Sequence, residues 1–127
     1  MTCNDILKSA LRLLKRHNCE EEFGEHSERA SYILSAMFSE AARIDKLYRS
    51  ANNLGQQLPF NPTYSELSRE FPLCDRFSSA AVFYLAAMLI IDEDSELSDT
   101  FYGRYCDSMS SIVSSIPSTI AKTQNVY

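Results

Sequence analysis

The side chains best suited to bind a metal or act as a nucleophile are Cys3, Cys19, Cys74, Cys106, His17 and His26. A structural zinc site read from sequence wants C-x₂₋₄-C and H-x₃₋₅-H pairs. Cys3, His17, Cys19 and His26 could meet around an ion, but those spacings are absent, so no metal is expected. A Ser/His/Asp or Cys/His site would have to be built at the N-terminal connection that holds both histidines. Neither has a serine or cysteine beside it in a recognisable motif. There is no Gly-rich phosphate loop, no H-E-x-x-H and no G-x-S-x-G. Carboxylates cluster at 20–28 and 92–99, where they read as charge that solubilises turns. The sequence therefore predicts no enzyme, no cofactor and no small-molecule substrate.

Four cysteines in a secreted chain would suggest two bridges. Here Met1–Asp5 is polar, and the basic stretch Lys8–Arg16 alternates with leucines instead of preceding an apolar run, unlike a signal peptide. Free, mostly buried thiols in a reducing cytosol are expected. The longest apolar run is the twelve residues Ala80–Ile91. A membrane span needs about 20, so this run reads as a helix buried in a soluble fold, and no membrane partner is expected.

The elements that must position these groups are helical. The 127 residues suit one domain, 45% hydrophobic and 23% charged, with only three Gly and four Pro. That shortage of turn residues argues against a β-sandwich. Thr2 to Asp5 has the form of a capping box. Ile6, Leu7, Ala10, Leu11, Leu13 and Leu14 then recur at helical spacing, predicting a helix over 4–17. A second helix, capped by Ser27, is expected over 27–51 on the stripe Ala30, Ile33, Leu34, Met37, Ala41, Ile44 and Tyr48. Gly55, Pro59 and Pro62 break the pattern. Thr63 to Glu66 is a second capping-box match, predicting a short helix to about Arg69 that Phe71-Pro72 ends. Asp75 is the candidate cap of a third helix over 75–92, apolar on every face from Ala80 and so suited to the centre of a bundle. Asp94 or Ser95 caps a fourth, carried by Leu97, Phe101, Tyr105, Met109, Ile112 and Ile116 to Pro117. The short acidic turn makes the last two an antiparallel hairpin. Tyr84, Phe101, Tyr102 and Tyr105 are expected in the core. The fold class is all-α: about four main helices, a short extra helix in the central connection, a helical domain over 1–117 and a flexible tail over 118–127.

Helix 1 is basic, but a helix-turn-helix needs a 3–4-residue turn. The connection after it runs about nine residues and carries four glutamates, and the net charge is −5. Sequence-specific nucleic-acid binding is not expected.

From residue 71 the chain reads FPLCDRFSSAAVFYLAAMLIIDEDSELSDTFYGRYCDSM. Phe71-Pro72-Leu73, then Tyr84-Leu85-Ala86-Ala87, then Asp92-Glu93-Asp94, then Phe101 and Tyr105 make a pattern of hydrophobicity and turns. Upstream, Ile44, Asp45, Leu47, Tyr48 and Arg49 match more loosely. Over 27–113 this resembles the small helical head–tail connector (adaptor) proteins of tailed bacteriophages and prophages. The resemblance implies a virion structural protein, found in the bacterial cytoplasm before assembly. It would form a ring with its own copies and bind the portal protein and neighbouring tail-completion proteins. The alternative is a small intracellular helical interaction or regulatory module.

A ring needs heterologous contacts, one face of a subunit meeting a different face of the next. Lys8, Arg12, Lys15 and Arg16 offer a basic face; Asp92, Glu93 and Asp94, with Glu96 and Asp99, offer an acidic one. These faces either set subunit orientation or screen charge within the chain. In the tail, Ile120, Val126 and Tyr127 are candidate anchors for a partner.

Overall fold

Among the described residues four α-helices carry the fold, as the periodicity predicts. The computed structural model describes residues 1–16 and 23–117, with side chains in the second helix from residue 26 onward. The helices are α1 (Cys3–Arg16), α2 (Phe23–Ala51), α3 (Ser78–Ile90) and α4 (Ser95–Ser114), and a 3₁₀ turn, Asp75–Phe77, leads directly into α3. The capping box of α1 is made in both directions. The Thr2 N–H donates to Asp5 Oδ2 at 2.8 Å, and the Asp5 N–H donates to Thr2 Oγ1 at 3.3 Å. Asp94 caps α4 by accepting the Leu97 N–H at 3.0 Å.

Three boundaries differ from expectation. α2 begins at Phe23, so Ser27 lies inside the helix and does not cap it. Gly24 weakens a helix by only about 1 kcal/mol, and the fully buried His26 anchors the early turns to the core. Asp75 makes no side-chain cap; the Phe77 N–H reaches back to the Cys74 carbonyl at 2.9 Å, tightening this turn and burying Phe77.

The third difference is the short helix expected over 63–69, which is replaced by irregular chain and a single turn. Seven residues give few internal bonds to offset the cost of nucleation. The segment instead lies along the start of α1. The Leu67 and Arg69 carbonyls accept the Asn4 and Cys3 N–H groups at 2.8 and 2.9 Å, and Thr2 pairs with Glu70 in an isolated antiparallel bridge. These carbonyls satisfy the first amides of α1, which have no partner inside their own helix.

α3 occupies the centre, touching α1, α2 and α4. Ala80, Ala81, Ala86 and Ala87 are buried on it with Leu85, Leu89 and Ile90, so small residues let the neighbouring helices approach closely. α1 adds Ile6, Leu7, Ala10 and Leu14; α2 adds Leu34, Met37, Phe38 and Ala41; α4 adds Phe101, Tyr105 and Ile112. Phe38 meets Phe60 and Phe71 edge-on, with ring centroids 5.8 and 5.5 Å apart, so the irregular connection closes one end of the core.

Candidate functional site

The most elaborate polar arrangement among the described residues centres on Asp45, a fully buried carboxylate on α2. Its Oδ1 accepts the Cys74 N–H at 2.8 Å. Its Oδ2 accepts Arg49 Nε–H and Gln57 Nε2–H, each at 2.8 Å. Arg49 in turn donates to the carbonyls of Gly55 (2.9 Å), Gln56 (3.1 Å) and Pro72 (3.2 Å), and Gln57 donates also to the Ala42 carbonyl at 3.0 Å. An Asp and an Arg one helical turn apart thus gather both ends of a connection that has no regular structure of its own. Burial raises the Cys74 thiol to about 12, and the adjacent Asp45 carboxylate pushes in the same direction. Burial raises Cys3 to about 11. Neither is a nucleophile at neutral pH. The cluster is saturated with internal partners, so its chemistry is to hold the chain.

A tyrosine group lies between α3 and α4. Tyr105 packs against Tyr84 and Tyr102 at 5.0 and 5.5 Å between centroids, and its hydroxyl donates to Glu40 Oε1 at 3.1 Å. Burial, reinforced by Glu40, holds the Tyr105 hydroxyl far above its ordinary range, and burial shifts Tyr84 in the same direction. Phe101 and Tyr105 are core as expected, whereas Tyr102 is 39% exposed. A cavity of about 240 Å³ lies beside Phe38, Phe60 and Tyr64. A wider and more open hollow of about 660 Å³ lies beside Leu54, Gln57 and Phe60, within the about 300–1,000 Å³ usual for small-molecule sites. Among the described residues no group of three or more His, Cys, Asp or Glu could hold a metal ion, and no helix is long and apolar enough to cross a membrane.

Both charged faces lie at the surface. Lys8, Arg12, Lys15 and Arg16 are exposed along α1; Asp92, Glu93 and Asp94 are exposed at the turn between α3 and α4. No ion pair among the described residues joins one set to the other. Asp94 has a fold role as the cap of α4, so its charge is not free to serve an interface alone. Two features escaped the sequence reading. Ile91, beside the acids, is 47% exposed. A groove along the seam of α1 and α3 consists of hollows of about 310 and 280 Å³ that share Ser9, Val82 and Phe83, and Arg12, Leu13 and Arg16 line the second. The Arg104 guanidinium stands over the Phe83 ring at 5.7 Å. Periodicity marks which residues are apolar, not which of them a neighbouring helix leaves uncovered. His17, Cys19, and the tail residues Ile120, Val126 and Tyr127 lie outside the described residues. No protein-family model, characterised protein or solved structure matches the chain.

Proposed function

We propose that this protein is a head–tail connector subunit of a tailed-phage or prophage particle, a virion component that assembles as a ring on the portal. It works by attachment, with no catalytic step and no cofactor. Its partners are other copies of itself, the portal protein and the tail-completion proteins beside it. The observation that carries this reading is the pair of oppositely charged faces, on different elements of one helical body and not paired with each other. Such faces suit heterologous contact between copies. The Tyr84-Leu85-Ala86-Ala87 and Phe101/Tyr105 pattern that resembles the connector family lies in the α3–α4 hairpin, and Asp45 and Arg49 fix the irregular stretch before it. A net charge of −5 also suits a wall past which DNA slides without being gripped.

The test is sedimentation of the full chain with the portal rings encoded nearest its own gene. Co-sedimentation in a defined ratio, with a ring visible by electron microscopy, supports the proposal. A chain that stays free of portal rings at high concentration overturns it. Removing residues 118–127 is expected to leave the helical content unchanged and to abolish portal binding.

A further inference from the structure

We infer that the groove between α1 and α3 receives the acidic turn of a second copy of this chain, with Ile91 on Val82 and Phe83, and Asp92 and Glu93 facing Arg12 and Arg16. The inference rests on the self-assembly part of the proposed function and names the contact. The floor of the groove is apolar: Leu13, Val82 and Phe83 are only partly buried by their own chain. The charged residues that line it, Arg12 and Arg16, are both cations. The occupant should therefore carry an exposed apolar side chain flanked by carboxylates.

Of the eight large hydrophobics exposed among the described residues, Ile91 alone is followed directly by three acids. Tyr32 and Tyr64 pack edge-on against each other at 5.0 Å. Leu54 and Leu58 border a hollow whose charged residues are Lys46 and Arg49, the wrong sign for an arginine rim. Ile91 runs directly into Asp92, Glu93 and Asp94 and so matches both floor and rim. Groove and turn are different surfaces, so the contact is heterologous and propagates from copy to copy. One aliphatic group and exposed ion pairs make a weak contact that salt screens, which suits assembly on a template over tight association in free solution.

Cross-linking reads a weak contact directly. Two variants are made with Cys19 and Cys106 replaced by serine: one carries S9C in the groove, the other I91C on the turn. One of them is isotopically labelled, and both are checked for native helical content by circular dichroism. They are mixed at low salt under mild oxidation, and the dimers are weighed. The expected result is that the S9C–I91C dimer exceeds either homodimer at least ~10-fold. Adding R12E and R16E to the groove partner should lower the yield about as much, and D92K with E93K on the turn partner should restore it. Homodimers equal to the mixed dimer, or absence of that rescue, overturn the inference. Portal co-sedimentation of the unaltered chain separates the two claims. Binding without the cross-link removes this contact and leaves the connector reading, whereas the cross-link with rescue but no portal binding does the reverse.

Discussion

Replacing Asp45 by alanine is the sharpest test of how the molecule is held together. The carboxylate has no solvent exposure and accepts three hydrogen bonds, each at 2.8 Å. Alanine leaves the buried Cys74 N–H without its acceptor and Arg49 without its counter-ion. Removing one partner of a buried ion pair costs about 3–5 kcal/mol. The Arg49 side chain retains 15% exposure and three carbonyl acceptors, which places the loss near the lower end, about 3 kcal/mol. Asparagine keeps one acceptor oxygen but turns an amide donor toward another donor, for a loss of about 2 kcal/mol. With a urea slope of about 2 kcal/mol/M, the unfolding midpoint should fall by roughly 1.5 M for Asp45→Ala and 1 M for Asp45→Asn. A cycle with Arg49→Ala should show coupling of about 1–3 kcal/mol. Hydrogen exchange at the Cys74 amide should accelerate in both Asp45 variants. A loss below about 1 kcal/mol for Asp45→Ala, with the Cys74 amide still protected, would show that the connection is held by something other than this carboxylate.

Other consequences can be checked with the same material. Thiol titration at pH 8 should find Cys106 reactive, with Cys3 and Cys74 at least ~100-fold slower in the folded state, because both are buried and poorly ionised. Those raised thiols also set a pH dependence. The unfolded chain ionises its cysteines near 9.0 and the folded chain near 11 and 12, so stability is full below pH 9 and falls as pH rises toward 12. Melting midpoints across that window should decline less in Cys74→Ala than in the parent. Asp94→Ala removes the cap of α4 and should cost about 1 kcal/mol, read as a drop of about 4 °C in melting temperature. Phe38→Ala, which opens a void under Phe60 and Phe71, should cost about 3–5 kcal/mol by urea unfolding. Asp92→Asn with Glu93→Gln should leave or slightly raise the melting temperature while weakening the cross-link between copies; a lowered melting temperature would show that these two charges stabilise the fold.

Much of the fold was legible because helical periodicity reports burial directly. The all-round apolar run from Ala80 predicted a central helix, and α3 lies at the centre. Thr2, Asp5 and Asp94 were legible as caps because capping is a local bargain between a short polar side chain and amides two or three residues on. What failed was what depends on distant chain. Thr63–Glu66 carries the same local signal as Thr2–Asp5, yet its segment pairs with the start of α1 and stays irregular. Asp45 and Arg49 stood out in the sequence only as part of the looser upstream match to the connector pattern; nothing local shows that Cys74, 29 residues away, donates to one of them. Phe38 falls outside the simple stripe because its ring is buried by Phe60 and Phe71, which the connection delivers. Of the candidate surfaces, the charges were readable from sequence, but Ile91 and the seam beside Phe83 emerge only once helices are packed.

The acidic turn shows how folding and attachment can be separated residue by residue. A carboxylate near the C-terminal end of a helix faces the negative pole of the backbone dipole and is unfavourable by roughly 0.3–1 kcal/mol. Asp92 and Glu93 stand in that position after Ile90, where the Glu93 and Asp94 amides already bond to the Ile90 carbonyl at 3.0 and 2.9 Å. Asp94 offsets the cost by capping α4, and Glu96 lies in the first turn of that helix, where negative charge is favourable. Asp92 and Glu93 receive no such return from the fold: both are exposed, and neither pairs with a cation among the described residues. Folding alone would be served as well by neutral residues there. Charges that oppose their own helix, next to an exposed isoleucine, fit the proposed contact with the cationic groove. The same charge on Asp94 serves the chain itself, so reversing Asp94 would confuse loss of a helix cap with loss of the proposed contact, while changes at Asp92 and Glu93 leave that cap in place.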